Sequence, residues 1–114
     1  MGEIVSINLL NGKINWSVPS GYINEKKLGT ANFGGILLTS EGIIFATGTD
    51  DNKIVALDEQ NGRELWSFVM DSAGSTSPTT FFWKNKQIVI VVASGGRYHN
   101  YEKKSGSIYA FAIK

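Results

Sequence analysis

Cysteine is absent from this chain, which rules out disulfides and thiolate metal sites. The absence leaves the redox compartment open, because an oxidising space permits disulfides without requiring them. An excess of one charge is missing too: 11 Lys and Arg stand against 10 Asp and Glu, a net charge of +1. The whole chain therefore carries no electrostatic footprint for nucleic acid or an acidic membrane surface, and no nucleic-acid partner is expected. Long apolar runs are also lacking, since the longest strongly apolar stretch, Ile88 to Ala93, is too short to span a bilayer. The first residues show no charged segment leading into an apolar one, so no targeting segment is read there. Helical periodicity occurs nowhere. What remains is a chain that is 42% hydrophobic and 18% charged, enough apolar material for a core and too little charge for disorder.

The dominant positive feature is a repeat. Gly2 to Ser17, GEIVSINLLNGKINWS, returns as Asn52 to Ser67, NKIVALDEQNGRELWS, and the start of the pattern returns again as Ser107 to Lys114, SIYAFAIK. Asn11 and Asn61 lie 50 residues apart, a spacing of repeat architectures whose single unit cannot bury its own apolar faces. Within each copy the residues alternate as in a strand, with Val5, Ile7 and Leu9 on one face and Ser6 on the other, and Val55 and Leu57 opposed to Ile54 and Ala56. Asn11-Gly12 and Asn61-Gly62 are the dipeptides best able to hold φ > 0 at both central positions of a two-strand hairpin. Trp16 and Trp66 occupy the same point of consecutive second strands. Each large ring is expected to lie across the neighbouring sheet, with small Ser6, Ala56 and Ala110 leaving room for close approach. Burial of that kind sets an expected cost of about 3 to 5 kcal/mol for Trp66→Ala.

Segments 34–40, 42–48, 52–58 and 63–69 read as one complete four-stranded sheet. Two strands precede it, at 3–10 and 13–18, and three follow, at 78–83, 87–93 and 107–113. Four-stranded antiparallel sheets repeated radially define a β-propeller, so the fold class expected is all-β: a partial propeller of about two and a half blades, with blade pieces 1–18, 34–69 and 78–114. The last sheet lacks its outermost strand, a strand that propellers commonly borrow from the opposite end of the whole chain, which reads as a C-terminal portion. Unpaired edges are expected around Ile88 to Ala93, a window of high β-propensity without charge or proline. An independent β-sandwich is the competing architecture, against which the 50-residue self-similarity weighs.

Gly29 to Trp66, GTANFGGILLTSEGIIFATGTDDNKIVALDEQNGRELW, resembles the C-terminal blades of the PQQ-dependent quinoprotein dehydrogenases, especially the membrane glucose dehydrogenase group. The likeness rests on the Gly-Thr-x-Asn-x-Gly-Gly entry, the Asp-Asn turn and the Asn-Gly-x-x-x-Trp docking motif. It continues through GSTSPTTFFWKNKQIVIVVASGG and the terminal YAFAI. The resemblance implies an eight-bladed propeller in which PQQ and Ca²⁺ oxidise a glucose-like sugar or an alcohol, with electrons passing to quinone or cytochrome. It further implies a periplasmic setting, membrane association through a parent chain, and the remaining blades of that chain as partners. A non-enzymatic propeller of the outer-membrane assembly lipoprotein type, binding protein through its rim loops, stays open as the alternative. So does self-association to complete a ring if Met1 is a true start.

One rim of such a ring is built from the loops 19–35, 48–52, 70–77 and 94–106. Thr30 and Asn32, ahead of Gly34-Gly35, are candidates to contact a cofactor carboxylate or carbonyl; equally, the glycine pair simply lets the chain turn tightly. Arg97, after Gly95-Gly96, is a candidate to neutralise a PQQ carboxylate by a bidentate contact. Close relatives place a histidine directly after the glycine pair, whereas this chain has Arg97 there and His99 two residues on. The adjacent acids Asp50 and Asp51 read as a solvated turn more than as a base or calcium ligand. No catalytic residue and no metal ligand is assigned within this chain. The vicinal cysteine pair and catalytic-base motif of the wider family are both absent.

Overall fold

The structure is a computed structural model that describes residues 2–30, 32, 34–94 and 106–113. Among the described residues nine strands form three antiparallel sheets: β1 (Glu3–Ile7) with β2 (Ile14–Pro19); β3 (Ile36–Leu38), β4 (Ile43–Ala46), β5 (Lys53–Asp58) and β6 (Glu64–Val69); and β7 (Thr79–Trp83), β8 (Lys86–Ala93) and β9 (Ser107–Ile113). Strands adjacent in sequence pair within each sheet, so each sheet is a meander of the propeller-blade kind.

Period-two alternation explains why the middle sheet is apolar on both sides. Ile44, Ala46 and Leu57 pack with Ile4 of the first sheet, and half-buried Trp16, Val18 and Val55 flank them. Phe45, Ile54 and Ala56, one residue out of step, pack with Val89, Val91 and Ala93 of the third sheet. The outer faces of the arc are uncovered among the described residues: Ile14 and Ile108 are 64% and 72% exposed. Ala110 is exposed for the same reason, since it has the place in the third sheet that buried Ala56 has in the second. The segment Ile88 to Ala93 is not itself an edge. It lies in β8, paired with β9 throughout and with β7 as far as Ile90, and among the described residues the free edges of that sheet are β7 and β9.

The Asn-Gly turns differ from the two-residue hairpins expected of them. Asn8 N–H donates to Lys13 O at 2.8 Å and Gly12 N–H to Asn8 O at 2.8 Å, leaving four residues in the loop. Asp58, Arg63 and Gly62 repeat both bonds at the same lengths. Of each dipeptide only the glycine is left-handed, at φ 71° for Gly12 and 74° for Gly62. The asparagine acts through its side chain instead: Asn11 Oδ1 and Asn61 Oδ1 accept the Lys13 and Arg63 N–H at 2.9 and 2.8 Å. A bulge lies within each copy just before the turn, where Ser6 pairs with Trp16 but Ile7 with Ile14, and Ala56 with Trp66 but Leu57 with Glu64.

The two indoles are not equivalent in burial. Trp16 donates its Nε1–H to Glu59 O at 2.7 Å and lies over Gly62, where a Cβ would come within 2.5 Å of the ring. It is thus docked on the β5–β6 turn of the next sheet. Trp66 makes an edge-to-face contact with Phe111, centroids 5.1 Å apart, yet remains 39% exposed. The third sheet has no fourth strand among the described residues, hence no matching turn to receive it.

Candidate functional site

The loops expected to build one rim are stitched together across the sheet joints. Residues 20–30 leave β2 and fold back as a short hairpin: Thr30 N–H donates to Ser20 O at 2.8 Å and Gly29 N–H to Gly21 O at 3.0 Å. Ile23 and Lys26 exchange both backbone bonds around Asn24 and Glu25, whose φ values of 50° and 66° make a left-handed two-residue turn. This hairpin was not legible as such in the sequence, which offers neither Asn-Gly nor alternating apolar residues there. Gly21, at φ 106°, supplies the close approach to Thr30, since a Cβ would come within 2.5 Å of Thr30 Oγ1.

Thr30 is only 3% exposed, and its Oγ1 accepts the Asp50 N–H at 3.0 Å. Its backbone carbonyl accepts the Gly2 N–H at 3.0 Å, so Thr30 ties the hairpin to both flanking sheets. Asn32 is half-buried, bridges to Thr49 by backbone, donates Nδ2 to Ser20 Oγ at 3.3 Å and accepts the Gly34 N–H on Oδ1 at 3.1 Å. One Nδ2 hydrogen and one Oδ1 lone pair remain beyond these bonds. Thr30 and Asn32 are thus brought together on one rim segment. Arg97 and His99 lie outside the described residues. The glycine pair has its explanation within the chain: a Cβ on Gly34 would strike the Thr47 carbonyl, and one on Gly35 would strike Ser77.

Asp51 is no free carboxylate. Its Oδ1 accepts the Thr49 hydroxyl at 2.5 Å and the Lys53 N–H at 3.0 Å, and its Oδ2 accepts the Tyr22 N–H at 2.8 Å. No motif or pattern in the sequence marks Tyr22. Its hydroxyl donates to Glu64 Oε2 at 3.0 Å across the joint, and the Lys53 ammonium sits 3.8 Å above its ring. Burial raises the Tyr22 phenol above its usual value of 10.0, and the bond and charge of Glu64 and the charge of Asp51 raise it further. A raised phenol favours folding below the unfolded value and loses that contribution as pH climbs through the folded one. The Tyr22 share of stability is therefore expected to be flat up to about pH 10 and to fall above it. Denaturation midpoints of the parent and Tyr22→Phe should converge in that alkaline range. Midpoints that stay equally far apart through it would contradict the assignment.

The second joint uses the same elements in other hands. Asp71 N–H donates to the Tyr109 hydroxyl at 3.1 Å and Asp71 Oδ2 accepts the Ser107 hydroxyl at 2.7 Å. Ser75 and Ser94 hydroxyls meet at 2.7 Å. Among the described residues no group of three or more His, Asp or Glu is gathered closely enough to hold a metal ion. No helix of the described residues is long and apolar enough to cross a membrane.

Two kinds of likeness bear on this rim. The family described as "Glucose/ethanol/alcohol dehydrogenase, beta-propeller domain" matches residues 1–89. The chain belongs to the PQQ-dependent dehydrogenase family. Among its relatives are the glycerol dehydrogenase large subunit of Gluconobacter oxydans, 35% identical over 83 residues that make up 73% of this chain and 11% of that protein. The quinoprotein glucose dehydrogenase of Escherichia coli is 30% identical over 124 aligned positions, covering 98% of this chain and 15% of that protein. This family member thus spans about a seventh or less of the curated relatives' length. The quinohemoprotein alcohol dehydrogenase of Comamonas testosteroni superposes with a TM-score of 0.77 at 22% identity, over 96% of this chain and 16% of that one. BamB from Moraxella catarrhalis superposes less closely, at 0.53 and 18% identity over 98% of this chain and 30% of that one. Both superpositions show the fold alone, and the fold is a portion of a propeller.

Proposed function

We propose that this chain is a C-terminal portion of a PQQ-dependent dehydrogenase that oxidises a sugar or an alcohol and passes the electrons to quinone or cytochrome in the periplasm. The match to the dehydrogenase propeller family over residues 1–89 carries the reading. Relatives named for glycerol and glucose support polyols and sugars as the substrate class, and one named 1-butanol dehydrogenase (cytochrome c), from Thauera butanivorans, supports simple alcohols and a cytochrome acceptor. Blade pieces 1–18, 34–69 and 78–114 take their places in a larger ring whose other blades come from the parent chain.

When bound, PQQ supplies the acceptor for the two electrons and two protons that leave an alcohol as it becomes a carbonyl compound. The described residues fit a supporting part in holding it. Asn32, with a spare donor and a spare acceptor, is the side chain of this rim best placed to meet a carbonyl or carboxylate of the cofactor. Thr30, sealed against Asp50, acts by fixing the segment on which Asn32 sits. Arg97 is proposed to neutralise a cofactor carboxylate. Calcium, the ion that accompanies PQQ in this reading, would take its carboxylate ligands from other blades, because the described residues gather no such set.

Reconstitution of the full-length protein with PQQ and Ca²⁺ tests the reading. Dye reduction with glucose, glycerol or 1-butanol is expected, dependent on added PQQ. No reduction with any of the three would overturn the enzyme assignment and leave a protein-binding propeller in its place.

A further inference from the structure

We infer that residues 20–30 form a strap across the first blade joint and that Tyr22, latched to Glu64, is the positioning residue that holds it. The hairpin's own ladder is short, and its apolar cover is thin: Ile23 and Leu28 are 37% and 56% exposed. Packing alone does not hold such a segment down. What holds it is polar and reaches the next sheet from three sides of one residue. The Tyr22 N–H meets the Asp51 carboxylate, the hydroxyl meets Glu64 on β6, and the ring lies under the Lys53 ammonium at the start of β5. Glu64 Oε1 is buried with no hydrogen-bond partner among the described residues, so the Tyr22 hydroxyl is the donor that compensates this carboxylate for lost water. The Ser20 and Thr30 ends of the strap are the residues that bond Asn32 and Asp50, so a latched Tyr22 fixes the rim segment next to it.

The consequence for cofactor binding rests on the proposed function; the latch does not, and hydrogen exchange reads it without any cofactor. In the full-length protein that carries this chain, Tyr22→Phe is expected to speed exchange of the Gly29 and Thr30 amides about tenfold, the loss of one hydrogen bond to a charged acceptor. Glu64→Ala should do the same, and Glu64→Gln, which keeps an acceptor, should restore most of the protection. Tyr109→Phe, which removes the hydroxyl at the other joint, should leave these two amides as they are. Exchange of Gly29 and Thr30 unchanged within about twofold in both Tyr22→Phe and Glu64→Ala overturns the latch. In the reconstituted enzyme, Tyr22→Phe should raise the PQQ concentration needed for half-maximal dye reduction several-fold with the rate at saturation unchanged. A faster-exchanging strap with unaltered PQQ half-saturation overturns the positioning role.

Discussion

Gly62→Ala should destabilise the protein by about 3 kcal/mol or more, and Gly12→Ala, at the same place in the preceding copy, by only about 1 to 2. Both glycines close the same four-residue turn with nearly the same left-handed φ, 74° and 71°. An L-residue there incurs a backbone cost of order 1 to 2 kcal/mol, partly offset because alanine has fewer unfolded conformations to lose. The difference lies in what each Cβ would meet. At Gly12 nothing among the described residues would stand within 4 Å of it, whereas at Gly62 the Trp16 ring would be 2.5 Å away. The indole cannot yield easily, since its Nε1–H is bonded to Glu59 O in the same turn. Overpacking of that kind adds about 1 to 3 kcal/mol. Denaturant midpoints of the two variants, measured in one protein at unchanged slope, check the pair. Costs that agree within about 0.5 kcal/mol would mean that the ring does not rest on Gly62.

Trp16→Ala should cost about 3 to 4 kcal/mol, from lost packing against the cluster of Ile4, Ile44, Ala46 and Leu57 and from the Glu59 carbonyl left without its donor. Trp16→Phe keeps most of the ring and loses the N–H, so about 1 to 2 kcal/mol is expected. Trp66→Ala should fall below the 3 to 5 kcal/mol first assigned to it, because the 39% exposure of Trp66 leaves less contact to lose. If the full-length protein supplies a strand beyond β9, the two tryptophan costs converge, which makes the comparison a probe of how the last sheet is completed. A Trp16→Ala cost under about 0.5 kcal/mol, the size of an ordinary surface change, would remove the indole from any part in joining the sheets.

The turns show where sequence reasoning reached and where it stopped. Asn-Gly marked the two hairpin turns correctly, yet the consecutive left-handed pairs occur elsewhere, at Asn24-Glu25 and Lys84-Asn85. A dipeptide states which φ values are cheap. Loop length is decided by the register of the flanking strands, and here a bulge that leaves Asn15 and Leu65 out of the ladders sets that register. The rim had the same limit. Thr30 and Asn32 were visible as polar residues ahead of a glycine pair, but nothing local says that one hydroxyl is spent on Asp50 while the amide keeps hydrogen-bonding capacity. Tyr22 and Glu64 gave no signal at all, since they are 42 residues apart, one in the loop after β2 and the other on β6.

By itself, then, the order of residues determined the repeat, the strands and the membership of a propeller, because alternation and turn chemistry act over a few neighbours and recur with the 50-residue period. Only the tertiary structure decided which indole is docked, which glycine is pressed against a neighbour, and which side chains clasp the rim. Those outcomes depend on atoms brought together across sheet joints, where packing and desolvation act on residues that share no local pattern.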